Sequence, residues 1–92
     1  MLDPHRLAIL RAVIAAGSVH GAASNLCLAP STVSQHLRML ARQTGLLLFE
    51  KSGRGIKPTS TALRLAEDSG PVLAELERLD RAVEDLRRNN AE

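Results

Sequence analysis

"LAPSTVSQHL", Leu28 to Leu37, decides how the rest of the chain is read. These ten residues hold three hydroxyls, a glutamine and a histidine, yet Val33 and Leu37 keep the spacing of an inward helical stripe. Pro30 stands where a helix begins, because its missing N–H is one the first turn leaves unpaired anyway. Val33, Leu37 and Leu40 form the apolar side of the predicted helix, and Gly45 ends it. Ser31, Thr32, Gln35 and Arg38 are left on the outward side, nearest its N-terminal end. Ala29 cannot cap, so Ser31 and Ser34 are expected to help satisfy the free N–H groups of the first turn.

On the N-terminal side, "VHGAASNL" predicts a short helix capped by Ser18, with Ala22, Ala23 and Leu26 as a small-residue face that lets another helix come close. "CLA" is the turn between the two, with Cys27 expected as a small buried thiol. Earlier still, Asp3 and Pro4 open a helix whose apolar positions are Leu7, Leu10, Val13 and Ile14, and Gly17 closes it. Two helices joined by a tight turn make a helix-turn-helix, which holds its second helix rigidly with the outer face free to enter a DNA major groove.

On the C-terminal side, "LLLFEKSGRGIKPT" is too short and too glycine-rich for another helix. Residues 48–51 and 56–58 read as two brief strands around "SGRG", a small hairpin carrying Lys51, Arg54 and Lys57. From Thr59, read as the cap, Ala62, Leu65, Ser69, Val72, Leu76, Leu79, Val83 and Leu86 alternate spacings of three and four. That repeat is a coiled-coil seam, and a helix so long cannot bury its stripe against so small a head, so pairing with a second copy is expected. "SGP" at Ser69–Pro71 predicts a kink near residues 67–71, or two separate helices, because Pro71 removes an intrahelical hydrogen bond. "RRNNAE" is expected to fray.

Composition agrees with a small helical protein. The chain has 92 residues, 45% of them hydrophobic, with one Phe and no Trp or Tyr, so the core is aliphatic and one domain deep. Net charge is only +2, but residues 1–64 carry eight Lys or Arg against Asp3 and Glu50, whereas residues 65–92 carry four Arg against eight acids. A basic front and an acidic back imply two tasks. A single Cys forms no internal disulfide, and no apolar run approaches the ~20 residues of a membrane span. A cytoplasmic location without membrane contact is the expectation.

Catalysis and metal binding find little support. Ser34 and His36 lie on different faces of one helix with no orienting acid. "SGRG" lacks the Lys-Ser/Thr ending of a phosphate loop. His5, His20, His36 and Cys27 match no metal-ligand spacing, and His36 reads either as a flank of the DNA surface or as an ordinary exposed histidine. The expectation is no enzyme, no metal and no cofactor in this segment.

With these motifs in order, the chain resembles the winged helix-turn-helix DNA-binding domain of LysR-type transcriptional regulators. Gly17-Ser18, Ala22-Ala23, Leu26, Val33-Ser34, Gly45, Leu48-Phe49, Arg54 and Thr59 carry the likeness, from about residue 5 to the end. The resemblance implies a mostly α fold, three helices plus a two-stranded wing, over residues 1–58, then a linker helix over 59–92. It implies helix 30–43 in the major groove of an inverted-repeat site, with Pro30, Ser31, Thr32, Ser34, Gln35 and Arg38 facing DNA. The wing residues Lys51, Arg54 and Lys57 would lie at the minor groove, and Ser18 and Thr59 at phosphates. Leu65, Val72, Leu76, Leu79, Val83 and Leu86 would form the homodimer seam, with tetramers open to a full-length protein. A small-molecule effector would bind a further C-terminal domain outside this chain.

Several positions depart from the family's usual residues: Pro30 for a base-contacting Gln, Ala41 for Glu, Lys51 for Arg, Pro58 for Leu and Ala62 for Gly. Two rival readings stay open at this point. One is a protein-interaction module whose seam pairs with another regulator. The other is a metal-responsive winged repressor, which the missing Cys/His ligand set and the long seam disfavour.

Overall fold

The computed structural model describes residues 1–90. Its elements run α1 (Pro4–Ala16), α2 (Val19–Leu26), α3 (Pro30–Thr44), β1 (Phe49–Ser52), β2 (Gly55–Pro58) and α4 (Ser60–Asn90). The mostly helical fold with a two-stranded wing is the one expected.

Each head helix starts and stops where its end residues dictate. The Asp3 side chain accepts from the His5 N–H at 2.9 Å, and Gly17 ends α1 in the left-handed region with φ 78°. Ser18 Oγ accepts from the Gly21 N–H at 2.9 Å and so caps α2. Gly21 itself is required by space, since an added Cβ would stand 2.9 Å from Ser18 Oγ and 3.2 Å from the Ala16 Cβ. Ala29 provides no side-chain cap to α3, and neither Ser31 nor Ser34 replaces it among the described residues. The first turn of α3 instead closes on backbone alone, Thr32 and Val33 donating to the Ala29 carbonyl at 3.0 and 3.2 Å.

The core gathers Leu7, Ile9, Leu10 and Val13 of α1, Ala22 and Ala23 of α2, and Val33, Leu37 and Leu40 of α3, with Leu48. Ala62 and Ala66 of α4 complete it. Ile9 was outside the single stripe expected for α1, yet it is fully buried. The reason is position: α1 packs against α2, α3 and α4 at once, so one apolar face does not suffice. Residues on either side of position 59 therefore share one core.

The hairpin is tighter than expected. Antiparallel pairing runs Phe49↔Pro58, Glu50↔Lys57, Lys51↔Ile56 and Ser52↔Gly55, which leaves a two-residue turn of Gly53 and Arg54. Gly53 at φ 59° occupies the first central position, where a turn matching the twist of the strands needs positive φ. The strands thus gain Ser52 and Gly55, while Leu48 becomes a core residue.

α4 is a single helix from Ser60 to Asn90, not two, and Pro71 lies inside it. One missing hydrogen bond in so long a helix is offset by the contacts just before it. Ser69 Oγ donates to the Ala66 carbonyl at 2.8 Å, and Arg11 Nη1 donates to the same oxygen. Helical structure reaches Asn90, and the last two residues of "RRNNAE" lie outside the described residues. No single described helix is long and apolar enough to cross a membrane. At 1.5 Å per residue α4 is about 45 Å long, and it accounts for most of the 57 Å long axis of the molecule.

Candidate nucleic-acid interface

α3 presents three sides with different surroundings. Val33, Leu37 and Leu40 are buried, as their spacing requires. A second side is occupied by the chain's own N-terminus: His5 and His36 meet edge to face with ring centroids 5.2 Å apart. Arg6 Nη2 reaches Met39 Sδ at 3.6 Å, and Gln43 Nε2 donates to the Met1 carbonyl at 2.6 Å. His36 therefore turns toward α1, neither flanking an external surface nor freely exposed, because its side of α3 faces the first turn of α1.

The third side is free. Ser31, Gln35 and Arg38 are exposed, and Thr32 is half-buried beside them. Arg42 continues the same stripe one turn further and is exposed too. Its spacing from Ser31, Gln35 and Arg38 (steps of four, three and four) was the signal for including it, and the sequence reading missed it. Pro30 is exposed at the leading end of the helix.

The remaining candidates divide between two clefts. Ser34, half-buried, lines the first together with Ser18, His20, Lys51 and Arg54. This cleft lies between the start of α2, the middle of α3 and the wing tip. Ser18 Oγ is used as an acceptor by Gly21, but its own proton is free to donate outward. His20 is exposed at the α2 N-terminus, a position that only tertiary structure could assign to this cleft.

Lys57 belongs elsewhere. Strand side chains alternate between faces, so Lys51 and Ile56 share one face of the hairpin while Glu50 and Lys57 share the other. Lys57 and Thr59 line the second cleft, with Glu50, Ser60 and Thr61. The Thr59 hydroxyl is already committed: it donates to the Leu47 carbonyl at 2.7 Å and accepts from the Ala62 N–H at 3.0 Å. A hydroxyl has one proton, so Thr59 caps α4 and has none left to offer a phosphate. Any anion at this end of α4 meets the unpaired backbone N–H groups and the Ser60 hydroxyl instead.

Two further expectations differ from the structure. Cys27 is exposed, because it ends α2 in the left-handed conformation (φ 57°) and its side chain points outward from the turn. Leu65 packs against the core of its own chain, and Ala62 and Ser69 are buried there, so the first turns of α4 are not free seam. The exposed stripe begins at Val72 and continues through Leu79, Val83 and Leu86, with Leu76 half-buried. Among the described residues, no three potential metal ligands converge.

Comparison with known proteins agrees with this geometry. Residues 4–63 match the family described as "Bacterial regulatory helix-turn-helix protein, lysR family". The putative HTH-type transcriptional regulator protein PtxE of Stutzerimonas stutzeri is 46% identical over 63 residues, covering 68% of this chain and 32% of PtxE. TrpI of Pseudomonas aeruginosa, an HTH-type transcriptional regulator, is 38% identical over 93 residues, 98% of this chain and 30% of TrpI. The chain thus spans about a third of the length of the curated relatives it matches. Among solved structures, the BenM DNA-binding domain in complex with catB site 1 DNA superposes with TM-score 0.82 at 21% identity, covering 94% of this chain and 96% of that one, a likeness of fold. The CbnR DNA-binding domain, also solved with DNA, gives 0.72 at 25% identity, covering 99% of this chain and all of that one. With the wing, the helix-turn-helix and the long terminal helix all in place, the chain belongs to the lysR family of bacterial regulatory helix-turn-helix proteins.

Proposed function

We propose that this chain is the DNA-reading head of a transcription regulator, binding an inverted-repeat site as a homodimer. α3 enters the major groove, where Gln35 suits an adenine edge and Arg38 a guanine or a phosphate. Arg54, at the tip of the two-residue turn, lies at the adjacent minor groove, while Ser18 and Lys51 contact phosphates. The free stripe from Val72 to Leu86 pairs two chains. The observation that carries the reading is the exposed row Ser31, Gln35, Arg38 and Arg42, backed by buried Val33, Leu37 and Leu40 and bordered by a basic wing. The likeness to the CbnR DNA-binding domain, solved in complex with DNA, supports the same reading.

The whole regulator would carry an effector-binding part beyond this segment, act in the bacterial cytoplasm and allow tetramers. It performs no catalysis in this reading. Selection from randomised duplex DNA, followed by gel shifts at several salt concentrations, tests the proposal. An enriched two-fold-symmetric site, with affinity falling as salt rises, is the expected result. Recovery of no enriched sequence, together with no salt-dependent binding to generic duplex, overturns it and leaves a pairing module.

A further inference from the structure

We infer that Arg11 is a positioning residue: from α1 it pins α4 immediately before Pro71 and so fixes the direction in which the free half of α4 leaves the head. α4 is packed at Ala62, which is fully buried, and at Ala66 and Ser69, which are nearly so, and past Pro71 its contact with the core thins to half-buried Leu73. The proline sits where that support thins. It has no N–H to give the Glu67 carbonyl, so the helical ladder is weakest at the point of departure. Bends in helices concentrate at such positions.

Three side-chain arrangements converge on this point. Arg11 Nη1 donates to the Ala66 carbonyl, a charge-assisted hydrogen bond from a different helix. Ser69 Oγ donates to the same oxygen at 2.8 Å. Gly70 leaves room for the guanidinium, because a Cβ there would stand 3.2 Å from Arg11 Nη1. The carbonyl one residue before the weakened step is therefore held from two directions. Arg11 is the link that ties it to the head; Ser69 ties α4 only to itself. In a dimer paired along α4, the angle at this point sets how far apart two copies of α3 stand, a consequence that rests on the function proposed above.

The test uses the full chain with two spin labels, one on Cys27, the single cysteine and exposed, and one on Arg81→Cys in the outer part of α4. Labelled chain is diluted with unlabelled chain so that only distances within one molecule are read. The expected result is one narrow distance for the parent, and a broadened, shifted distribution for Arg11→Met at unchanged helical circular dichroism. Arg11→Lys, which keeps a charged donor, recovers part of the narrow distribution. Arg11→Ala, a strong helix former at an exposed position of α1, removes the donor as well and gives the same broadening should Arg11→Met fail to fold. A folded variant, Arg11→Met or Arg11→Ala, with the parental distribution overturns the inference.

A second arm uses the selected half-site in inverted repeats of varied spacing. Arg11→Met is expected to bind an isolated half-site like the parent while losing discrimination among spacings. Failure of the parent to bind any DNA would overturn the proposed function and leave the distance measurement to judge Arg11 alone.

Discussion

Lys57 sits directly across the hairpin from Glu50, on the face opposite to Lys51. The three basic residues of the wing therefore do not form one patch. Lys51 and Arg54 share the cleft with Ser18 and Ser34, whereas Lys57 faces the start of α4 beside a carboxylate-bearing neighbour. Lys51→Ala is expected to reduce the magnitude of the salt slope of DNA binding by about 0.9, the value for one lost phosphate contact, and Arg54→Ala to reduce it as well by removing a charge at the minor groove. Lys57→Ala should change it less. Fluorescence anisotropy titrations across a salt series measure all three, and equal losses would contradict the division of the wing into two faces.

Gln35 is exposed in the middle of the outward row on α3. Gln35→Ala should change base preference at one position per half-site, costing about 1–3 kcal/mol there and little elsewhere. Selection from randomised sites with parent and variant in parallel checks this. Arg42→Ala, further from the leading end of α3, should weaken binding to all sequences alike.

The Thr59 hydroxyl is spent within the fold, donating to the Leu47 carbonyl and accepting from the Ala62 N–H. Thr59→Ala removes the cap of α4 and the hydroxyl bond to Leu47. Losing a helix cap costs about 0.5–2 kcal/mol. For a domain of this size about 1 kcal/mol lowers Tm by roughly 4–8 °C. Urea or thermal unfolding at one fixed protein concentration reads the loss, and the salt slope of DNA binding should stay at the parental value.

The exposed stripe on the outer half of α4 gives a separate prediction for self-association. Leu79 is 51% exposed and lies centrally among Val72, Leu76, Val83 and Leu86. Leu79→Glu replaces apolar contact by charge in both copies. It should raise the dimer Kd by roughly a hundredfold, equivalent to about 2.8 kcal/mol. Sedimentation across a concentration series follows the shift to monomer. Leu65→Glu would report on folding instead, because Leu65 packs on its own head.

Much of this architecture was legible in the chain itself. Caps with local partners (Asp3, Ser18, Thr59) and left-handed stops at Gly17 and Gly45 act within a few residues, so the sequence displays them directly. The α3 stripe was legible for the same reason: one buried side gives one period. Ile9 was not, because burial on several sides of α1 erases periodicity. The clefts were not either, since they join α2, α3 and the wing, and nothing local says that Lys51 faces Ser34 while Lys57 faces Thr59. Pro71 pointed to a break, but the groups that hold α4 together there include Arg11, far away in sequence and on another helix.

At the root of the wing, the Thr59 N–H donates to the Leu48 carbonyl at 2.9 Å and the Thr59 hydroxyl to Leu47, so both ends of the hairpin are tied at one point. Phe49 still packs on the core, but residues 50–57 beyond it are all exposed and form a closed attachment whose length and charge can be exchanged without disturbing the helices beneath. A designer could graft a longer or more basic hairpin between Phe49 and Pro58, which under the proposed function would tighten the grip on the sugar-phosphate chain and leave base choice to α3. Strength and selectivity would then be separately adjustable in this small scaffold.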